Sequence, residues 1–155
     1  MTDPKTKLTE HFTLAEMTRS SSHPEIYNVP WPAAIDNLKR VCAWLEMLRD
    51  AYNEKYNTKQ EEEPIRVTSG YRSEKLNRAV GGAKDSNHLY GCAADIRCLG
   101  CEQAIRYATI LMDWADQQQW YFDEIIVEKK FNSYWLHFAV KPQDNRRYVS
   151  ILQKR

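Results

Sequence analysis

The sequence predicts an α+β domain with helices packed on a small antiparallel β-sheet. Three observations predict it: two long stretches of helical periodicity, short β-patterned runs clustered towards the carboxyl end, and a length that suits one core. With 155 residues and 43% hydrophobic content, the chain reads as a single domain over residues 1–155. Residues 1–10 read as a flexible start.

Each element has a local reason. Thr13 followed three residues later by Glu16 is a capping box that opens a short helix. A long helix starts at about Pro32, where proline suits the first turn, and Ile35, Leu38, Val41, Cys42, Leu45 and Leu48 form its apolar stripe. Residues 57–64, with three successive glutamates from Glu61, read as a charged surface loop. A strand, a short helix and a glycine turn occupy residues 65–82. A second long helix runs from about Cys101 to Gln118 through Ile105, Ala108, Met112 and Ala115. Residues 123–128 and 134–140 read as two strands of a hairpin joined across Asn132 and Ser133, and a last strand lies near residues 148–152. There is no internal repeat, low-complexity segment or linker.

Charge and hydropathy exclude several classes. A net charge of +1 gives no global attraction to nucleic acid or anionic membranes. The basic pairs Arg146-Arg147 and Lys154-Arg155 come with no DNA-reading motif. No apolar run reaches the roughly 18 residues of a membrane span, and the start lacks a signal peptide's hydrophobic region. A protein made in the cytoplasm, without nucleic-acid or membrane partners, is the expectation.

Chemistry concentrates in His88, Asp95 and His137. Two imidazoles and one carboxylate are a complete protein ligand set for a catalytic zinc, which keeps a fourth position for water. Seven residues of extended chain would separate His88 from Asp95 by roughly 23 Å, so the chain must turn between them. Gly91 is the pivot, since it takes a positive φ at no steric cost. His88 is then on a loop and Asp95 on the following strand, with Ala93, Asp95 and Arg97 on one face and Ala94, Ile96 and Cys98 on the other. His137 shares a strand face with Trp135 and Ala139. An even-numbered hairpin loop puts Glu128 opposite Trp135 and diagonal to His137; an odd-numbered loop turns it to the other face.

These residues, taken with others, resemble the zinc-dependent peptidoglycan peptidases. That family includes D-alanyl-D-alanine carboxypeptidases and phage L-alanoyl-D-glutamate endolysins, and is related in fold to the Hedgehog signalling domain. The resemblance runs through residues 11–20, Asn28 to Pro30, residues 65–73 with Arg72, Leu76-Asn77, Val80 to Gly82, the segment from His88 to Asp95, Glu128, and Trp135 to His137. It implies zinc held by His88, Asp95 and His137, with Arg72 meeting the substrate's carboxylate or the developing oxyanion. Ser86 matches the serine two residues before the first ligand and, with Arg72 and Trp135, falls in the substrate-binding set. Related branches place the catalytic carboxylate three residues before the last histidine, where this chain has Tyr134. Glu128, nine residues before it as in the phage-like branch, is the carboxylate assigned as general base.

The resemblance implies hydrolysis of a peptidoglycan stem-peptide bond, and the phage-like layout favours the endopeptidase over the carboxypeptidase. Such a protein reaches the wall after lysis or by another export route. The rival reading is a non-catalytic, zinc-stabilised module that binds peptidoglycan or protein, and Tyr134 is the feature in its favour. The other candidates draw bland readings. His11 and His23 are capping or surface residues, and Trp31, Trp44, Trp114 and Trp120 are core or half-buried aromatics. Trp135 either shapes the cleft or packs structurally. Cys98 and Cys101 form a lone C-x-x-C with no second pair for a structural zinc; with Cys42 and Cys92 they read as free thiols, a 98–101 disulfide being the alternative.

Overall fold

A computed structural model describes residues 3–152. Met1, Thr2 and the basic Lys154-Arg155 pair lie outside the described residues. Residues 3–10, read as a flexible start, are tied down: Thr6 and Pro4 accept the amides of Leu14 and Ala15, Lys7 bridges to Thr13, and Leu8 is buried.

Helix α1 (Leu14–Thr18) begins where the Thr13 side chain accepts the Glu16 amide. Helix α2 (Pro32–Tyr56) starts with its proline in the first turn and buries Leu38, Val41, Leu45 and Leu48. Strand β1 (Val67–Ser69) and helix α3 (Glu74–Ala79), capped by Ser73, follow the charged loop. Strand β2 (Ala93–Cys98) leads into helix α4 (Cys101–Gln118). Strands β3 (Glu124–Lys130), β4 (Ser133–Ala139) and β5 (Tyr148–Ile151) complete the chain. No helix among the described residues is long and apolar enough to cross a membrane.

The five strands form one sheet in the order β1-β2-β4-β3-β5. Alternation assigns its two faces. Ala94, Ile96, Leu136, Phe138, Ile125 and Val127 point to the back, where they join α2 and α4 in the core. Trp44 is wedged there among Trp114, Trp120 and Phe138. The front carries Asp95, His137 and Glu128.

The sheet is mixed rather than wholly antiparallel, because β5 runs parallel to β3. Ala139 and Tyr148 both pair with Glu124, so β4 ends and β5 begins at one end of the sheet. Residues 140–147 therefore need only step across the end of β3. Asp123 pins that crossing. Its buried carboxylate accepts the Arg146 amide at 3.0 Å, Arg146 Nη2 at 2.8 Å and Asn87 Nδ2 at 2.8 Å. Burial pushes the Asp123 carboxyl up, but these hydrogen bonds more than reverse it, to about 2.

A depressed carboxyl contributes stability that is present above its unfolded value and lost as pH falls through the folded one. Asp123 should thus cost the fold roughly 2 kcal/mol between about pH 4 and pH 2. Urea melts of the wild type and Asp123→Asn across that range should show the variant losing less stability on acidification.

Two glycines are set by close approach. A Cβ at Gly70 would lie 2.3 Å from the Met17 carbonyl oxygen, the same oxygen that accepts the Tyr71 amide. Gly91 has a φ of +73°, and a Cβ there would meet the Ala34 carbonyl oxygen at 2.5 Å. Both contacts bear on His88.

Candidate metal centre

His88 sits on a single turn of 3-10 helix, Asn87–Tyr90, rather than on an irregular loop. The Ser86 side chain caps that turn by accepting the His88 amide at 3.2 Å, and Gly91 ends it in the left-handed conformation. Ser86 therefore shapes the ligand turn, besides lining the cleft. The imidazole is buried, and its Nδ1 lies 2.6 Å from the Gly70 carbonyl oxygen. A carbonyl can only accept, so Nδ1 carries the proton and neutral His88 presents the lone pair of Nε2. Burial, which disfavours the imidazolium, pushes its pKa down despite the pull of Asp95.

Asp95 and His137 are direct partners across β2 and β4, on the front face. Oδ1 of Asp95 is 2.9 Å from His137 Nδ1 and 3.3 Å from His88 Nε2. A tetrahedral ion with bonds of about 2.0–2.1 Å sets its ligand atoms about 3.3–3.5 Å apart. The three ligand atoms all lie within 4.8 Å of one another, so small side-chain shifts fit them to one ion. Electrostatics agree with this fit. Burial alone would lower His137, yet hydrogen bonds to Asp95 and Glu124 hold it up at about 9. Asp95 thus favours positive charge on the Nδ1 side of the ring, where a divalent cation would satisfy it, while Glu124 holds the far nitrogen. Asp95 itself is drawn well below the carboxylate range, its burial outweighed by the two imidazoles.

Arg72 completes the orientation of Asp95. Its Nη2 donates to Asp95 Oδ2 at 3.2 Å, Nε to Ser69 Oγ at 2.9 Å and Nη1 to Asn77 Oδ1 at 3.3 Å. Three of the five guanidinium N–H groups are engaged in this way, and Arg72 also lines the cleft.

The hairpin loop is two residues, Phe131 and Asn132, with Ser133 already in the strand. Being even, it sets Glu128 opposite Trp135 and diagonal to His137. Trp135 Nε1 donates to Glu128 Oε2 at 2.7 Å, so this tryptophan positions the carboxylate and lines the cleft. Tyr134 lies on the opposite face and packs against the core. With this register, an acid at position 134 would face away from the metal ligands.

Sequence reasoning missed Glu124 and Asn87. Glu124 stands on the same β3 face as Glu128, diagonal to His137 from the other side, with Ile126 directly opposite the histidine. Its Oε1 is 3.0 Å from His137 Nε2 and accepts Asn87 Nδ2 at 2.7 Å. Burial raises its carboxyl, and the His137 hydrogen bond brings it down to about 2. A carboxylate behind a ligating imidazole holds the ring's tautomer and angle. Glu124→Ala should weaken zinc affinity about 10- to 100-fold in chelator competition, with Glu124→Gln, which still accepts a hydrogen bond, losing less.

The residues set aside as bland remain outside this cluster. His11 pairs with Glu46 and His23 with Glu25. Trp44 is buried, while Trp31 and Trp120 are about half exposed. All four cysteines are free.

The centre opens into a cleft of about 850 Å³, bordered by Arg72, Gly82, Lys84, Glu128, Trp135 and Arg146 among others. Compared with known proteins, the chain matches the profile of the Peptidase M15 family over residues 10–119, which takes in Arg72, His88 and Asp95 and stops short of β3 and β4. It is also similar to a zinc D-Ala-D-Ala carboxypeptidase of Streptomyces albus G, 36% identical over 86 residues. That stretch is 56% of this chain and 31% of the relative, so the match spans about a third of the longer protein.

Proposed function

Since the chain belongs to the Peptidase M15 family, we propose that it is a zinc peptidase that hydrolyses peptide bonds of bacterial peptidoglycan, and an endopeptidase within that class. The observation that carries the reading is the meeting of His88, Asp95 and His137 at ligand distances in a cleft also lined by Arg72 and Glu128. The relative's name supports the choice of zinc and of a peptide substrate that carries D-alanine.

His88 Nε2, Asp95 Oδ1 and His137 Nδ1 would hold the ion. Zinc, when bound, supplies Lewis acidity and a water of low pKa for amide hydrolysis. The protein's own groups do the rest. Gly70 and Glu124 keep the two imidazoles in their metal-facing tautomers. Glu128, fixed by Trp135, takes the proton of the attacking water and returns it to the departing amine. Arg72 turns its remaining N–H groups to a carboxylate or to the tetrahedral oxyanion.

The endopeptidase choice draws support from the shape of the surface. A second depression borders Asp95, including Thr68, Arg97 and Ser133 and sharing Asp95 and Trp135 with the main cleft. An open groove lets a peptide continue beyond the bond that is cut. Digestion of purified muropeptides by the zinc-loaded protein, with products identified by mass, should give fragments split within the stem and none after chelation. Release of terminal D-alanine alone would make it a carboxypeptidase, and zinc binding without any product would favour the binding module.

A further inference from the structure

The main cleft has its cations matched by acids. Asp85, Asp95, Asp123, Glu124 and Glu128 line it together with Arg72, Lys84, Lys141 and Arg146. Arg146 and Lys141 pair with Asp123, and Arg72 with Asp95. Beyond Arg72 the balance changes. A second depression of about 310 Å³ is lined by Arg19, Ser21, Ser22, Thr68, Ser69 and Arg72 among others, and no carboxylate is among its lining residues. Arg19 has no acidic partner among the described residues.

This juxtaposition is built rather than incidental. Arg19 caps the carboxyl end of α1 in an extended conformation. The Asn28 amide clamps that end to the Arg72 segment: Nδ2 donates to the carbonyls of Thr18 at 2.8 Å and Tyr71 at 2.9 Å, and Oδ1 accepts the Ser73 amide. Tyr71 is further tied to Met17 through its own amide. The backbone segments that carry Arg19 and Arg72 are thereby held beside one depression, whose lining also includes serines and Thr68. Planar guanidiniums suit a carboxylate, and Arg72 still has N–H groups to offer.

We propose that Arg19, which lines this depression together with Arg72, is a specificity-determining residue that shares with Arg72 the recognition of a carboxylate of the substrate peptide. The proposal rests on the peptidase reading. The carboxylate has two chemical sources. It belongs either to a chain that ends just past the scissile bond, or to a side branch of a chain that continues. The first suits a carboxypeptidase and the second an endopeptidase.

The test uses stem peptides in which the terminal and the branch carboxylate are amidated one at a time. For the wild type, kcat/KM should favour the free acid over the amide at one of the two positions, and that position names the source. In Arg19→Ala that preference should fall about tenfold, mainly through KM, with Arg19→Lys restoring part of it. Calorimetric binding of the same peptides to zinc-depleted protein should show the same loss of preference. A free-to-amide ratio unchanged by Arg19→Ala at both positions would overturn this role for Arg19. If the wild type cleaves none of these peptides, the peptidase reading fails. The binding ratios then decide the role of Arg19 alone, a drop in Arg19→Ala supporting it and equality overturning it.

Discussion

Asp95→Ala yields a protein that retains no stoichiometric zinc, hydrolyses nothing measurable and melts roughly 10 °C lower. One carboxylate does several jobs here: Oδ1 faces both imidazoles and Oδ2 takes the Arg72 guanidinium. Removing it deletes one of the three ligands of the proposed zinc site and leaves a half-buried arginine without its counter-charge. Breaking a buried ion pair from one side costs about 3–5 kcal/mol, and each kcal/mol moves the midpoint of a domain this size by roughly 2–4 °C. Metal analysis after gel filtration and a calorimetric melt test both halves. Full zinc occupancy in the variant would remove Asp95 from the ligand set.

Glu128→Gln separates proton transfer from metal binding. The amide oxygen of glutamine still accepts the Trp135 indole N–H, so the wall of the cleft keeps its shape while the base is lost. Turnover should fall by about 10²- to 10⁴-fold, the usual worth of a positioned acid–base group, with zinc content equal to wild type. Glu128→Ala adds the loss of the Trp135 contact and should fall at least as far. Wild-type turnover in Glu128→Gln would shift the proton work to another carboxylate, and Glu124, on the same strand face, is the nearest alternative in kind.

Much of this arrangement is legible in the chain because it depends on period. The apolar stripes of residues 32–48 and 101–118 specify helices whatever they pack against, and alternation along residues 93–98 and 134–140 assigns Asp95 and His137 to their faces. The same rule, applied once more, reaches Glu124: it has the parity of Glu128 and is equally diagonal to His137. What parity cannot supply is pairing at a distance. The parallel seating of β5 depends on Asp123 gripping Arg146 across 23 residues, a contact with no local signature. The Glu124–Asn87 and Arg19–Arg72 proximities likewise arise only when separate segments are brought together.

The Gly70 contact carries the metal centre's requirements to a position that has no side chain. Its carbonyl dictates which nitrogen of His88 is bare, and its α-carbon passes against the Met17 carbonyl with no room for one more carbon. Any side chain there forces either the Met17 backbone or the Gly70 backbone, which carries that carbonyl, to shift. A saturation library scored for zinc retention would therefore rank position 70 beside the ligands themselves, as intolerant of alanine as of tryptophan.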